Sequence, residues 1–143
     1  YQQLMLRRAL EGEPVRRFMA DNPVTVPAET TLDDVIEDYV YRHHHKMYPV
    51  TRDGELSGCL TTRQIREIDR ERWSSTTAGD LADACDERNT VSPDTDAMEA
   101  LSQMRQSENS RLMVTENGRL VGIVALKDML DLIDLKVELD GRD

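Results

Sequence analysis

The chain of 143 residues contains one sequence pattern twice. The runs Asp53-Gly54-Glu55-Leu56-Ser57-Gly58 and Asn117-Gly118-Arg119-Leu120-Val121-Gly122 share a turn residue, a glycine, a charge, a leucine and a second glycine, and they lie 64 positions apart. Pro49-Val50-Thr51 matches Met113-Val114-Thr115 at the same offset. Upstream, Thr25-Val26 and Thr90-Val91 are offset by 65, so a single insertion or deletion separates these anchors. A fixed period of this length predicts two copies of one supersecondary unit.

Each copy predicts the element order β-α-β-β-α. A short β-rich stretch and a proline precede an amphipathic helix, in which apolar residues recur at helical spacing. Asp53-Gly54 and Asn117-Gly118 predict two hairpins, because tight type I′ turns need residues that tolerate positive φ. A second helix then runs from Thr62 to about Arg72, and from Leu126 to about Val137. The apolar positions of the first helices are Leu32, Val35, Ile36, Tyr39 and Val40 in copy one, and Ala97, Ala100, Leu101 and Met104 in copy two.

We expect an α+β fold with a lead-in at 1–14, repeat one at 15–72, a joint at 73–77, repeat two at 78–136 and a tail at 137–143. A unit of about 60 residues buries only about 60% of the surface of its unfolded chain and is marginally stable alone. The two repeats are therefore expected to pack through their sheets as a pseudo-twofold pair. Clefts between two such halves are natural ligand sites.

Composition excludes several classes of function. The chain has 18 basic and 28 acidic residues and a net charge of −10, which argues against a nucleic-acid or anionic-membrane surface. Its longest mostly apolar run, Leu120 to Leu126, falls far short of the ~20 residues of a membrane span. The two cysteines, Cys59 and Cys85, are too few for a disulfide scaffold. Together these features indicate a reducing, cytoplasmic setting.

The whole pattern resembles a tandem CBS domain pair, also called a Bateman module. The run Gly122-Ile123-Val124-Ala125-Leu126-Lys127-Asp128 is similar to the family signature Gly-hydrophobic-x-[Ser/Thr/Ala]-x-x-Asp, and the resemblance covers about Val15 to Lys136. It implies a regulatory module, since many such pairs bind AMP, ADP, ATP or S-adenosylmethionine in the clefts between repeats. It also implies a homodimer formed through the CBS faces.

A narrower resemblance points to the C-terminal CBS pair of site-2-protease-like membrane zinc metallopeptidases. It rests on the lead-in from Tyr1 to Gly12, on Tyr41-Arg42-His43 followed by Pro49-Val50, and on the joint from Arg70 to Gly79. The HExxH motif of those proteases is absent from the 143 residues. The resemblance therefore places any zinc in an upstream protease domain. This chain is then expected to be the cytosolic tail of an integral membrane protein, with no cofactor of its own.

In copy two, the resemblance implies that Asp128 accepts hydrogen bonds from both ribose hydroxyls, a task that suits a carboxylate because it only accepts. Arg111 is a candidate for binding a phosphate as a bidentate fork. Both have ordinary alternatives, since Asp128 suits the first turn of a helix and Arg111 suits a solvated strand edge. The other residues predicted to contact the ligand in copy two are Lys127, Met113, Thr90 and Val91.

In copy one, the predicted ligand residues are Val24, Val26, Thr61 and Gln64. The valines lie where the family contacts the purine, and they are also ordinary strand residues. Gln64 stands where the family has an aspartate, and Thr61-x-x-Gln64 is equally a helix capping box. Copy two departs differently, because Ala125 replaces the usual hydroxyl residue. If one cleft binds, we expect it to be the one that contains Asp128.

The charge distribution bears on the ligand. Residues 73–143 carry 7 basic and 15 acidic side chains and would repel a polyphosphate, so an AMP-like or S-adenosylmethionine-like ligand of low charge is expected. His43-His44-His45 cannot all bind one metal ion on a helix, since consecutive residues point about 100° apart. The sequence shows no nucleophile–base pair, so we do not expect an enzyme. Two functions stay open: a ligand-sensing regulatory module, and a ligandless dimerisation or structural module, which Gln64 and Ala125 favour.

Overall fold

The computed structural model describes residues 2–140. Tyr1, the first residue of the predicted lead-in, and residues 141–143 of the predicted tail lie outside the described residues. The chain divides into two compact units. We call residues 23–86 the first-repeat unit, and residues 2–22 together with 87–140 the second-repeat unit.

The elements follow the predicted α+β order. They are α1 (Gln2–Leu10), a 3₁₀ turn (Val15–Arg17), β1 (Val26–Pro27), α2 (Leu32–Val35 as α-helix, Ile36–Val40 as π-helix and Tyr41–His43 as α-helix), β2 (Met47–Arg52), β3 (Glu55–Thr61), α3 (Thr62–Arg66), a second 3₁₀ helix (Arg70–Ser75), α4 (Ala78–Leu81), β4 (Thr90–Val91), α5 (Ala97–Ser107), β5 (Arg111–Glu116), β6 (Arg119–Ala125) and α6 (Leu126–Asp140). No helix within residues 2–140 combines the length and the apolar character that a bilayer span needs.

Each unit contains one three-stranded sheet, in the orders β1-β2-β3 and β4-β5-β6. The first two strands of each sheet are parallel and the last two form an antiparallel hairpin. The hairpin turns are confirmed, since Asp53 and Gly54 have φ of 54° and 81°, and Asn117 and Gly118 have φ of 54° and 78°. Both hairpins also shift register at the same point, between Val50 and Thr51 in one and at the equivalent position in the other.

The one-residue difference between the copies lies inside α2. The residues before α2 and α5, Thr31 and Asp96, are 65 apart, whereas the left-handed residues that end them, His44 and Glu108, are 64 apart. Copy one therefore has the extra residue between these caps. Residues 36–40 of α2 form a π-helix, while α5 is α-helical throughout. A π-turn closes from i to i+5 and so accommodates one more residue than an α-turn.

Each sheet packs its helices on one face. The core of the first-repeat unit includes Val26, Leu32, Val35, Tyr48, Val50, Leu60 and Ile65. The core of the second-repeat unit includes Leu10, Val15, Leu101, Met104, Leu112, Val114, Val124, Met129 and Ile133. The predicted apolar faces are buried in α5 and at the start of α2, whereas Ile36, Tyr39 and Val40 are only partly buried. The π-helix explains this difference, because it departs from the 3.6-residue period on which the prediction rests.

The second helix of copy one is shorter than the sequence predicts. It ends at Arg66 instead of continuing to Arg72. Asp69 leaves the helical conformation with φ −56° and ψ 136°, and the chain resumes as the 3₁₀ helix Arg70–Ser75. This helix folds back onto the unit, since the Trp73 indole N–H donates to the Ile68 carbonyl oxygen at 3.0 Å. The corresponding helix of copy two, α6, runs on to Asp140.

The segment at the start of each repeat packs in the unit of the other repeat. We call residues 14–20 the first leader and residues 77–83 the second leader. The first leader bridges to the second-repeat unit through Pro14 with Asp96 and Ala20 with Ile123. The second leader bridges to the first-repeat unit through residue pairs Thr31–Thr77 and Cys59–Asp83. The predicted sequence repeats and the compact units are therefore different divisions of the chain.

The leaders approach the sheets at glycines, which have no side chain and so leave room for the leader backbone. A Cβ atom added at Gly58 would lie 2.5 Å from the carbonyl oxygen of Asp83, and one added at Gly122 would lie 2.8 Å from that of Ala20. We expect Gly58→Ala and Gly122→Ala each to lower the free energy of unfolding by about 1–3 kcal/mol, because backbone atoms must move. Urea unfolding followed by circular dichroism measures the change.

Glu55→Ala is the matched control, since Glu55 is an exposed residue of the same strand as Gly58. A surface change of this kind should alter the free energy of unfolding by no more than about 0.5 kcal/mol. Glycine variants as stable as this control would contradict the close packing of the leaders.

Candidate functional site

The predicted ligand residues of copy two lie on β4, on β5 and at the start of α6, all in the second-repeat unit. Arg111 begins β5 and pairs with Ala125, the last residue of β6. The chain then turns directly into α6, and the Leu126 N–H donates to the Ser110 carbonyl oxygen at 2.8 Å. Asp128 lies exposed in the first turn of that helix. The backbone thus brings the start of β5 and the start of α6 side by side.

The strand β4 lies next to this end of β5. Thr90 pairs with Met113, and the Met113 N–H donates to the Asn89 carbonyl oxygen at 2.8 Å. Met113 is fully buried, and Lys127 is exposed. Successive strand residues point to opposite faces, so Arg111 and Met113 share the face that is turned away from Leu112 and Val114 in the helix-side core. Two strands, β4 and β5, and one helix, α6, therefore carry the six predicted residues of copy two.

Two predicted residues have side chains in the unit cores. Val91 belongs to the core of the second-repeat unit and Val26 to that of the first-repeat unit, where it is fully buried. Val24 is partly buried and packs against the same core as Val26. Because the side chains of Val26 and Val91 pack in the cores, only their backbone atoms are left to contact a ligand.

In copy one, the capping box is formed. The Gln64 N–H donates to Thr61 Oγ1 at 3.2 Å, and Gln64 Oε1 accepts from the Thr61 N–H at 2.8 Å. Gln64 Nε2 in turn donates to the carbonyl oxygen of Leu81, in the second leader, at 3.1 Å. Both ends of the Gln64 amide are thus engaged within the first-repeat unit. Asp128 at the equivalent position in copy two is exposed.

Several polar contacts that the sequence does not reveal hold the elements around copy two. Gln103 of α5 donates from Nε2 to the Thr90 carbonyl oxygen at 2.7 Å and also to that of Glu87. Asp96, recognisable from sequence only as a helix start, caps α5 by accepting from the Met98 N–H and also accepts from the Gly12 N–H, both at 2.8 Å. The Asp96–Gly12 contact joins residues 84 positions apart, which no local pattern can indicate.

The surroundings of Arg16, Asp80 and Cys85 shift the pKa of each of these side chains. A hydrogen bond from Arg16 to Asp94, with N···O of 2.6 Å, and the charge of Asp94 raise the pKa of Arg16. Hydrogen bonds from the Thr77 backbone and side chain lower the pKa of Asp80. Partial desolvation and then the charge of Asp86 raise the pKa of the Cys85 thiol. A raised pKa leaves less thiolate at neutral pH, which makes Cys85 less reactive than an ordinary thiol.

The histidine run forms a helix end. His44 adopts the left-handed conformation that ends α2, and the His45 N–H donates to the Tyr48 hydroxyl oxygen at 3.1 Å. The rings of His43 and His45 stack with centroids 6.2 Å apart. Within residues 2–140, no three histidine, cysteine, aspartate or glutamate side chains are grouped so that they could hold a metal ion.

The first-repeat unit has a surface groove between α2 and the second 3₁₀ helix. Two adjoining cavities of about 210 and 420 Å³ share Ile36, Arg70 and Trp73, and the Arg70 guanidinium lies 5.3 Å from the centre of the Trp73 ring. The lining of these two cavities includes none of the ten predicted ligand residues. The groove is therefore separate from the predicted sites.

Known proteins resemble this chain over most of its length. Rip3 of Mycobacterium tuberculosis, a protein named as a candidate zinc metalloprotease, is 35% identical over 126 residues. The match covers 87% of this chain and 32% of Rip3, so this chain spans about one third of the length of that relative.

Solved structures share the fold. The CBS domain of a bacterial CNNM/CorC family Mg²⁺ transporter in complex with ATP matches with a TM-score of 0.75 at 22% identity, covering 94% of this chain and 98% of that one. CBSX2 in complex with AMP matches with a TM-score of 0.76 at 22% identity, covering 89% of this chain and 99% of that one. The sequence profile of the CBS domain matches residues 15–71 and 79–135. The chain therefore belongs to the CBS domain family and contains two copies of the domain.

Proposed function

We propose that this chain is a regulatory CBS pair that binds an adenosine-containing ligand of low charge next to the start of α6. The proposal rests above all on the way β4, β5 and α6 meet in the second-repeat unit. Arg111 pairs with Ala125, two residues before Lys127, and Thr90 pairs with Met113 on the neighbouring strand. A ligand at this end of the sheet would reach a basic side chain, strand backbone and a carboxylate together.

Asp128 supplies the proposed ribose contact. Its side chain is exposed in the first turn of α6, and a carboxylate offers two acceptor oxygens to the two ribose hydroxyls. The purine would lie against the backbone of Thr90 and Val91, because the Val91 side chain packs in the core. Such a pocket would recognise a nucleoside by an apolar surface together with a few polar groups that fix its orientation.

Charge favours a ligand with few phosphates. Arg111 and Lys127 are the basic residues of the proposed site, and residues 73–143 together carry an excess of acidic side chains. AMP or S-adenosylmethionine fits this balance better than ATP does. The structural neighbours have been solved with ATP and with AMP, which supports an adenosine nucleotide as the class of ligand.

Copy one is proposed to have a structural role. Gln64 caps α3 and binds the Leu81 carbonyl oxygen, so a ligand that used its amide would have to break contacts within the first-repeat unit. Thr61 is engaged in the same capping box. Val24 and Val26 then serve mainly the core. We therefore propose one ligand per chain.

The regulated enzyme is proposed to be a membrane zinc metalloprotease attached to this chain. The name of Rip3 supports this, as does the fact that this chain matches only 32% of the length of Rip3. In that arrangement the chain is a cytosolic tail, the zinc belongs to the protease part, and two tails associate as a homodimer through their CBS faces. The chain itself is regulatory and catalyses no step.

A ligandless dimerisation module is the second candidate function. Two observations favour it: Gln64 is engaged in capping, and the buried Ala125 lacks the hydroxyl that could reach a phosphate. Under this alternative, AMP, ADP, ATP and S-adenosylmethionine all leave the melting temperature unchanged.

We expect calorimetry to detect AMP binding, and we expect Asp128→Ala to weaken it at least about ten-fold. Hydrogen bonds to a charged group contribute about 1.5–3 kcal/mol each, and the variant removes both acceptors. Asp131→Ala is the matched control, because Asp131 is an exposed carboxylate one turn further along α6. Equal affinities for the wild type and Asp128→Ala would remove the proposed site.

We also expect a stoichiometry of one AMP per chain and no change in AMP affinity in Gln64→Ala. The same variant should lower the free energy of unfolding by about 1–2 kcal/mol, since it removes a helix cap and leaves the Leu81 carbonyl oxygen without this donor. Gln106→Ala, an exposed glutamine of α5, is the control for stability. Two AMP molecules per chain, or weaker binding in Gln64→Ala, would contradict a structural role for copy one.

A further inference from the structure

The N-terminal lead-in is held by two elements of the second-repeat unit. One is the loop that follows β4. The Val15 N–H donates to the Thr95 carbonyl oxygen at 2.8 Å, and the Arg16 N–H donates to that of Pro93 at 2.9 Å. Asp96, at the end of this loop, accepts from the Gly12 N–H at 2.8 Å. The loop thus fixes the backbone that connects α1 to the first leader.

The other element is α6. Leu10, at the end of α1, is fully buried in the core that also contains Met129 and Ile133 of α6. Lys136, further along α6, donates from Nζ to the Ala9 carbonyl oxygen at 3.2 Å. This bond satisfies a carbonyl in the last turn of α1, where helix carbonyls lack intrahelical partners. α1 therefore packs against α6, and the residues directly after α1 are held by the loop that follows β4.

The proposed ligand spans the same two elements. Thr90 and Val91 form β4 and lead directly into the loop of Pro93 to Asp96. Lys127 and Asp128 start the helix whose later turns hold α1. A ligand at β4 and the start of α6, and a lead-in held by the loop after β4 and by later turns of α6, both depend on the relative position of these two elements. Whichever orders that position first lowers the cost of binding for the other, which is the physical basis of coupling between sites.

Ligand binding can change the fraction of α1 that is folded and docked on α6, because α1 depends on that surface for its stability. Most of the stability of a helix in a protein comes from the packing of its apolar face and not from the helix itself. The docking of α1 rests on a short apolar contact made by Leu6, Ala9 and Leu10, while Leu4 is half exposed. Its order therefore depends on the surface that the second-repeat unit offers.

We propose that α1 is the output element of this module: ligand binding beside Asp128 and docking of α1 on α6 stabilise each other. This inference rests on the proposed function, since it takes the adenosine ligand at β4 and α6 as given. Docked α1 fixes the direction and the mobility of any chain that precedes it. A protease domain joined there would sense the ligand through the order of α1, with no contact to the ligand itself.

Hydrogen exchange of the whole chain, measured by mass spectrometry with and without saturating AMP, tests the coupling. We expect AMP to slow exchange of the α1 amides about five-fold, the lower end of usual coupling between sites. In Lys136→Met this protection should be lost, since the variant keeps an apolar stem and removes the bond to the Ala9 carbonyl oxygen. Lys46→Met is the matched control, because Lys46 is an exposed lysine of the first-repeat unit.

Linkage adds a second readout. Coupling is reciprocal, so Lys136→Met should weaken AMP binding, by at most the factor by which AMP protects α1, and Lys46→Met should leave AMP binding unchanged. Ala9→Gly is an independent variant, since it lowers the helix propensity of α1 by about 1 kcal/mol without altering α6. It should reproduce both effects.

The outcomes separate this inference from the proposed function. AMP that binds by calorimetry while α1 exchanges at its unliganded rate overturns the coupling and leaves the ligand site standing. AMP that fails to bind overturns both. Protection of α1 that persists unchanged in both Lys136→Met and Ala9→Gly also overturns the coupling, because the contact assigned to it would then be irrelevant.

Discussion

Each sheet of this protein ends in a strand that its own repeat leaves unpaired. The leaders close these edges: Cys59 and Asp83 exchange two backbone hydrogen bonds of 2.9 Å, and Ala20 and Ile123 exchange bonds of 2.8 and 3.1 Å. An unpaired edge strand presents open N–H and C=O groups and invites association with other chains. Gly58 and Gly122, next to the bridged residues, give the leaders the room to approach. A single CBS repeat cut from this chain would lack the closing segment of its sheet.

Because the leaders are exchanged, the N-terminal residues pack in the unit of the second repeat. Residues 2–22 join the unit of the second repeat, so Leu10 and Val15 lie in the same core as Leu112 and Met129. The bridge between Ala20 and Ile123 closes a long loop of chain, yet the entropy of loop closure grows only slowly with length. Any domain attached before residue 1 is therefore joined to the half of the module that contains Asp128.

Local patterns in the sequence predict most of the helices and strands, but they give no sign that the leaders are exchanged between the two units. The hairpins follow from Asp53-Gly54 and Asn117-Gly118, whose turn chemistry acts within four residues. The offset of 65 against 64 predicts an inserted residue, but no local pattern indicates the π-helix that accommodates it. The early end of α3 depends likewise on Trp73 folding back to Ile68. Pairings such as Pro14 with Asp96 leave no local signal, because they join distant segments through backbone atoms.

The candidate site shows the same limit, and it shows how two copies of one unit diverge. Sequence similarity favours Asp128 over Gln64 but does not reveal the contacts that distinguish them: the Gln64 amide binds Thr61 and Leu81, whereas the Asp128 side chain is exposed. A glutamine serves a cap well because it both accepts and donates, and a carboxylate cannot donate to the Leu81 carbonyl oxygen. The aspartate of copy two thus offers a solvent-exposed acceptor, whereas the glutamine of copy one forms a hydrogen bond to a leader. The same position therefore carries a different task in each copy: in copy one the side chain holds a leader against its sheet, and in copy two the carboxylate stays exposed.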